Sequence, residues 1–190
     1  MKTKFIKKVF PYTGAELRPH FAYENHGILG SSIVSWVGPC DIPFDHMVDL
    51  EDVLAQSPIR GGMMLHFIAE VFNQSLFSAV ALQRLLASIV KDEIECRWRM
   101  SKKKGALRRD GDDVFWGDRK ITISIASISA VSTQIHFAVN VNNKNTPVKT
   151  AALEDDFEIN VNEFAQSILE AFRREFVSID MATQKVKPLR

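Results

Sequence analysis

The chain has 190 residues, of which 46% are hydrophobic and 25% are charged, a composition that is typical of globular domains and excludes disordered and fibrous classes. Its 24 Lys and Arg residues balance 23 Asp and Glu residues, so the net charge of +1 offers no broad attraction for nucleic acid or an anionic membrane. We expect a single domain over residues 1–190, because no repeat, low-complexity stretch or long linker divides the sequence.

Neither a membrane anchor nor an export signal is evident. Charged residues interrupt every apolar run well before the about 20 residues that span a bilayer. The two cysteines, Cys40 and Cys96, lie far apart and have no C-x-x-C partner, which argues against a zinc cluster and a disulfide framework. We therefore expect a soluble protein of the reducing cytoplasm.

The first third of the chain predicts two strands, a helix and an irregular acidic stretch. Residues 5–12 are apolar with lysine breaks and indicate an edge strand, and residues 14–25 indicate a short helix that ends at Gly27. The β-branched run 31–37 predicts a core strand. Residues 39–62 contain several Pro, Gly and Asp residues and predict a loop, either functional or simply solvated.

Helical spacing dominates residues 63–95, which predict one kinked helix or two consecutive amphipathic helices. The apolar positions that carry this pattern are Phe67, Ile68, Val71, Phe72, Leu82, Leu85, Leu86 and Ile89. Residues 97–100 suggest a short strand, and Asp110 with Gly111 indicates a tight turn.

The clearest prediction is a β-hairpin formed by residues 120–129 and 133–142. A final helix follows over residues 161–177, with Asn160 as its cap. Alternation along the hairpin gathers small and hydrogen-bonding residues on one face, away from the isoleucines and valines. This polar face comprises Lys120, Thr122, Ser124, Ala126, His136, Ala138, Asn140 and Asn142.

With the turn centred near Val131, Thr122 lies opposite Asn140 and Ser124 lies opposite Ala138. One lysine among small side chains and amides suits a pocket floor for a polar or anionic ligand. The competing interpretation is a half-solvated sheet whose polar residues face water.

Residues 112–124 and 135–142 resemble the central signature of biotin and lipoate protein ligases, in which an acidic turn leads into an Arg-Lys-Ile strand. Residues 5–187 also resemble a small prokaryotic family named domain of unknown function 366. This resemblance implies a fold but no established activity. The matching segments of that family are Leu17–Pro19, Gly38–Asp41, Asp49–Asp52, Met64–Phe67, Asp118–Lys120, Ile135–Phe137 and Leu153–Asp155.

These resemblances imply an α+β fold with a mostly antiparallel sheet and helices packed on one side, as in class II aminoacyl-tRNA synthetases and biotin/lipoate ligases. They imply that Lys120 contacts the carboxylate and the α-phosphate of an acyl-adenylate, beside Asp113 of the acidic turn. Arg119 faces the opposite side of the strand, so only one of the two lines the pocket, and we favour Lys120. The implied activity is that of an ATP-dependent ligase or acyltransferase acting on a small carboxylate or acyl ligand, with ATP and magnesium as implied cofactors.

The Arg60-Gly61-Gly62 turn and the following His66 are similar to the Arg-Gly-Gly motif and downstream His of lipoyl and octanoyl transferases. The resemblance implies that these four residues bind ligand, because glycines allow close backbone approach and amides at a helix start suit an anion. A loop-to-helix turn without a ligand is an equal alternative.

Three further sites have competing interpretations. Cys40 is conceivable as a thioester-forming nucleophile, although the adjacent Asp41 opposes thiolate formation. His66 and Glu70 have the spacing of a metal pair on a helix, but a hydrogen-bonded structural histidine fits better, and we predict no metal site there. The acidic residues in 41–52 either hold magnesium with a nucleotide or form solvated surface.

Two non-catalytic functions compete with the enzyme hypothesis. The fold can serve as a small-molecule binding module without chemistry. It can also serve as an RNA-associated protein through the basic run 102–109, although no aromatic residues accompany that run and the overall charge disfavours nucleic acid. The oligomeric state, including a homo-oligomer, is left open.

Overall fold

A five-stranded sheet forms the centre of the computed structural model, which describes residues 1–57, 59–100, 106–144, 146 and 148–189. Its strands follow the order β1-β2-β3-β8-β7, and only β1 and β2 pair in parallel. The strands are β1 (Lys2–Phe5), β2 (Ser32–Ile42), β3 (Ile59–Phe72), β7 (Thr122–Ile128) and β8 (Ser132–Asn140). The predicted mostly antiparallel sheet is therefore confirmed.

A smaller three-stranded sheet precedes β7. It consists of β4 (Arg108–Asp110), β5 (Asp113–Trp116) and β6 (Arg119–Lys120). Gly111 has a φ of +60° in the connection between β4 and β5, which confirms the predicted tight turn.

The described residues also form four α-helices, two short and two long: α1 (Phe21–His26), α2 (Leu50–Ala55), α3 (Leu76–Met100) and α4 (Val161–Gln184). A 3-10 turn at Phe44–His46 precedes α2. Among the described residues, none of the helices combines the length and the apolar character that crossing a membrane requires.

The sheet separates two apolar clusters. The helical side buries Leu65, Phe67, Ile135 and Phe137 against α3 and α4. On the opposite side, Val34, Trp36, Met64, Ile68 and Ala138 pack with the segment that includes Ile6, Tyr12 and Phe21. Both long helices thus pack on one face, as expected for this fold class, and the N-terminal segment covers part of the other.

The predicted helix over residues 63–95 is wrong in its first third. Residues 59–72 form β3, and α3 begins only at Leu76. Because β3 is buried on both faces, its apolar residues form a nearly continuous run that hides the two-residue period of a strand. The strand predicted over 97–100 is also wrong, because those residues end α3.

The N-terminal predictions require smaller corrections. The edge strand predicted over residues 5–12 is wrong beyond Phe5, because β1 covers Lys2–Phe5 and Tyr12 makes an isolated bridge to Cys40. The short helix begins at Phe21 rather than at residue 14 and ends before Gly27, as predicted. The predicted core strand at residues 31–37 is confirmed but continues to Ile42, so the irregular segment is shorter than residues 39–62.

The predicted hairpin is confirmed, but its register differs by one residue. Thr122 pairs with Val139, Ser124 with Phe137 and Ile125 with His136. The three-residue connection, residues 129–131, is closed by the Ser129 amide, which donates to the Ser132 carbonyl at 2.9 Å. Paired residues share a sheet face, so this one-residue shift exchanges the two faces of β7.

Burial of Cys40 in β2 argues against its role as a nucleophile. The expected loop position is wrong, since this residue lies in the cluster that contains Tyr12 and Trp36. Burial, assisted by the neighbouring Asp41, raises the pKa of the Cys40 thiol to about 12. The thiolate that nucleophilic chemistry requires is therefore disfavoured.

The first prediction concerns the cap of α4. The Asn160 side-chain oxygen accepts a hydrogen bond from the Glu163 amide at 3.1 Å. We expect Asn160→Ala to lower the free energy of unfolding by about 1 kcal/mol in urea denaturation, because a first-turn amide loses its partner. Ser178→Ala, at an exposed position of the same helix, serves as control and should change it by less than about 0.5 kcal/mol. Equal effects of the two variants would contradict the capping role.

The second prediction concerns thiol reactivity. Cys96 is exposed and Cys40 is buried, so a disulfide reagent such as DTNB at about pH 8 should label Cys96 rapidly in the folded protein and spare Cys40. In the Cys96→Ser variant, absorbance should show labelling only after urea is added. Rapid labelling of Cys40 in the folded variant would contradict its burial.

Candidate functional site

A cavity of about 680 Å³ opens on the sheet face opposite the long helices. This volume lies within the range of about 300–1,000 Å³ that is typical of small-molecule pockets. Eight of the ten site residues predicted from the sequence line it: Arg60, Gly61, Asp113, Lys120, Thr122, Ser124, His136 and Asn140. The structure thus brings most of the candidates together, while Gly62 and His66 lie outside the lining.

Lys120 occupies the wall of the cavity, at the end of β6. Its ammonium lies 2.8 Å from Asp113 Oδ2, and its side chain is 32% exposed. The backbone is held firmly, because the Lys120 amide donates to Lys149 and its carbonyl accepts from Ala151 and from the Asn140 side chain. Lys120 is therefore a partly exposed cation whose ammonium is positioned by Asp113.

The Arg119 side chain lies on the other side of the strand, as alternation predicts. Its guanidinium pairs with Asp156 at 2.6 Å and lies 4.3 Å from the centre of the Trp116 ring. It does not line the cavity. The choice of Lys120 over Arg119 as the pocket residue therefore agrees with the geometry, while its function stays a prediction.

Asp113 sits in a partly desolvated position beside Lys120. Burial raises the pKa of its carboxyl, and the hydrogen bond and charge of Lys120 oppose that rise. An ammonium has three N–H donors, and Asp113 uses one of them. Lys120 therefore retains capacity to donate to a ligand.

Carboxylates outnumber cations around the cavity. Arg60 and Lys120 are the cationic lining residues among the described ones, and the acidic ones are Asp49, Glu51, Asp52, Asp112 and Asp113. Burial and the nearby Asp49 raise the pKa of Asp52, and Lys120 opposes the rise. The sequence predicted Asp113 in the site and left Asp49, Glu51 and Asp52 open between a magnesium site and solvated surface, while Asp112 was not predicted.

The implied magnesium ion does not fit the side chains present. Within the described parts of the chain, no group of three or more His, Cys, Asp or Glu residues is arranged to hold a metal ion. Asp112 is already engaged, because its Oδ2 accepts hydrogen bonds from Gln83 and from Ser124. We therefore derive no chemical step through a bound metal.

The glycine motif has a structural explanation. Arg60, Gly61 and Gly62 lie in β3, so the predicted loop-to-helix turn and its helix-start amides are wrong. A Cβ at Gly62 would lie 2.1 Å from the Lys144 carbonyl oxygen. Gly62 thus permits close contact with the protein backbone and not with a ligand. Arg60 pairs with Asp41 at 3.0 Å at an exposed position.

His66 lies behind the cavity wall and not in it. It is fully buried, and its Nδ1 and Nε2 lie 3.1 Å from His136 Nε2 and from the Gly38 carbonyl oxygen, respectively. The preference for a hydrogen-bonded structural histidine agrees with these contacts. His136 lines the cavity itself, and the Tyr12 ring stacks on it with centroids 3.6 Å apart.

The remaining polar candidates are bound within the protein. The Asn140 amide donates to the carbonyl oxygens of Lys120 and Ala151 at 3.1 and 3.4 Å. Thr122 Oγ1 accepts from the Val114 amide at 2.9 Å, and Ser124 donates to Asp112 at 2.6 Å. Register explains the difference from expectation, because Thr122 and Ser124 share the sheet face of Val139 and Phe137. They border the cavity from the edge strand.

Sequence reasoning missed the apolar part of the cavity. Tyr12, Ile42, Ile59, Met64 and Ile123 all contribute to its lining. No chemical motif marks these residues, and Ile42 and Ile59 lie within the stretch 39–62 that was predicted as an irregular loop. Only the shifted register could have revealed Ile123, which pairs with Ala138.

Comparison with known proteins identifies close relatives over the whole chain. A solved structure described as a protein of unknown function from Pyrococcus horikoshi is 33% identical, with a TM-score of 0.89, and the match covers 100% of this chain and 99% of that one. An uncharacterized protein of Methanocaldococcus jannaschii is 31% identical over 195 residues, covering 100% of this chain and 86% of the relative.

More distant structures share the fold. A biotin protein ligase from Aquifex aeolicus in complex with biotin and ATP has a TM-score of 0.57 at 13% identity, over 91% of this chain and 69% of the ligase. Lipoate-protein ligase A bound with ATP has a TM-score of 0.53 at 15% identity, over 92% and 85% of the two chains. The chain therefore has the biotin/lipoate protein ligase fold, which is class II synthetase-like. The family model described as Domain of unknown function (DUF366) matches residues 1–187, and the chain belongs to this family.

Proposed function

We propose that the chain binds a small carboxylic acid, or an acyl-adenylate-like derivative of one, beside Lys120, and that it uses this ligand in ligase or acyl-transfer chemistry. The observation that carries the proposal is one positioned ammonium, 32% exposed, at the wall of a cavity of about 680 Å³. The same proposal places the protein in the reducing cytoplasm, since Cys40 and Cys96 are free thiols.

The chemistry of the lining supports a ligand with an anionic head and an apolar body. Lys120 offers N–H donors that Asp113 does not use. Ile42, Ile59, Met64 and Ile123 provide an apolar surface for an acyl chain. Fold likeness adds support, because the Aquifex ligase was solved with biotin, a small carboxylic acid.

Lys120 also suits the charge changes of acyl activation. When a carboxylate attacks a phosphorus atom and pyrophosphate leaves, negative charge develops on oxygens that a fixed ammonium stabilises. The acidic rim of Asp49, Glu51 and Asp52 repels a polyanionic nucleotide, and the described residues provide no metal group to offset it. Carboxylate binding is therefore the primary proposal, and nucleotide use follows from fold likeness.

A binding module without catalysis is the second candidate, and the acidic rim favours it. An RNA-associated function has less support, because the basic run that suggested it falls partly on residues 102–105, outside the described residues. The rim around the cavity would repel RNA phosphates.

The third prediction tests the role of Lys120. Isothermal titration with a panel of small carboxylic acids, octanoic acid included, should find a binder. We expect Lys120→Ala to weaken it about 10- to 100-fold, because a charge-assisted hydrogen bond contributes about 1.5–3 kcal/mol. ATP–pyrophosphate exchange with the same acids separates the enzyme from the binding module.

The matched control is Lys149→Ala. Lys149 forms a similar ion pair with Asp118 at 2.9 Å but does not line the cavity. Its replacement should leave affinity unchanged, and thermal unfolding should verify that both variants are folded. Equal affinities for the wild type and Lys120→Ala, or an absence of binding by every acid, would contradict the proposal.

A further inference from the structure

A hydrogen-bonded chain of two histidines links a backbone carbonyl to the cavity wall. His66 Nε2 lies 3.1 Å from the Gly38 carbonyl oxygen, and His66 Nδ1 lies 3.1 Å from His136 Nε2. Both histidines are buried, and His136 lines the cavity. These hydrogen bonds thus connect β2, β3 and β8.

The two hydrogen bonds of His66 determine which ring nitrogens carry protons. A carbonyl oxygen can only accept, so His66 must donate through Nε2. Burial lowers the pKa of His66 to about 4, and burial together with the neighbouring His66 lowers the pKa of His136, so both rings are neutral near pH 7. A neutral ring carries one proton, which makes His66 Nδ1 an acceptor and His136 Nε2 its donor. His136 Nδ1 therefore keeps a lone pair.

Among the residues that the structure describes, the lone pair on His136 Nδ1 has no partner within the protein. Among the described residues, no hydrogen bond engages His136 Nδ1. The buried polar atoms that lack a partner do not include it either, so it is accessible from the cavity. The Tyr12 ring stacks on His136 at an interplanar angle of 8° and restrains its plane. The result is an oriented acceptor at a mostly apolar part of the wall.

We propose that His136 Nδ1 is a specificity-determining acceptor, and that the bound acid carries an O–H or N–H donor near the end of its chain remote from the carboxylate. This inference rests on the proposed function for the identity of the ligand as an acid. The assignment of the acceptor itself rests on the histidine chain alone.

The spacing of the two polar groups supports a donor at the remote end. The Asn140 side chain donates to the Lys120 carbonyl, which places these residues side by side. His136 precedes Asn140 by four positions on β8, and at about 3.4 Å per residue their backbone positions lie about 14 Å apart. We therefore expect a ligand that contacts both Lys120 and His136 to be an extended chain with its donor far from the carboxylate.

The energetic consequence is selection against acids with a purely apolar end. Such an acid covers His136 Nδ1 and deprives it of water without replacing the hydrogen bond. The matched probes are 8-hydroxyoctanoic acid and its isomer 7-methoxyheptanoic acid, of which only the first carries an O–H donor. We expect the hydroxy acid to bind about tenfold more tightly to the wild type, the usual scale of one neutral hydrogen bond.

Variants assign the preference to His136. His136→Phe keeps a flat ring against Tyr12 and removes the acceptor, so the two acids should bind equally. A retained preference would overturn the assignment. If this variant fails to fold, long-range ¹H–¹⁵N correlation spectra of the histidine-labelled wild type decide the question. They should show a protonated Nε2 and a bare Nδ1 on both rings, and a protonated His136 Nδ1 would overturn it.

A neutral probe pair separates this inference from the proposed function. 1-Butanol and its isomer methyl propyl ether carry no carboxylate, so their binding does not depend on Lys120. Butanol should shift the His136 Nδ1 resonance, and the ether should not. Equal shifts, or none, would overturn the inference. A butanol-specific shift together with failure of every acid would overturn the carboxylate proposal and leave the acceptor in place.

Discussion

Burial of the central strands on both faces is the constraint on which the site depends. Every residue of β8 is buried, so its polar side chains are bound inside the protein, and His136 Nδ1 faces the cavity instead. Thr133 donates to the Val71 carbonyl, Asn140 donates to the Lys120 carbonyl, and His136 pairs with His66. The same contacts that satisfy the interior also orient the side chains that border the cavity.

The electrostatics of the cavity combine a local cation with a surrounding excess of carboxylates. Lys120 and Asp113 form a partly buried pair, which holds the ammonium in place. Asp49, Glu51 and Asp52, at the start of α2, add negative charge at the rim. This combination favours a ligand with one localised negative charge over a polyanion. Likeness to biotin and lipoate ligases shows the fold, and the functional argument comes from these side chains.

Sequence patterns predicted those elements whose two faces differ. The helix α4 and its cap Asn160 follow from an apolar stripe on an otherwise polar segment. Alternation along the hairpin correctly separated Lys120 from Arg119. The strand β3 was missed because both of its faces are apolar, so the run around Phe67 and Ile68 carries no two-residue period. Cys40 was misplaced for a related reason, since β2 continues through the Gly-Pro pair that usually ends a strand.

The sequence by itself indicated the family and the fold class through its resemblance to known families, and alternation along the hairpin grouped the candidate residues near Lys120, because motifs and a two-residue period are local features. Only the tertiary structure decided the register of the hairpin, since a single position in the turn at Ser129 exchanges the faces of β7. It also decided the hydrogen bond between His66 and His136, which lie 70 residues apart in the chain. Such contacts depend on how strands pair across the sheet, and no local pattern records that pairing.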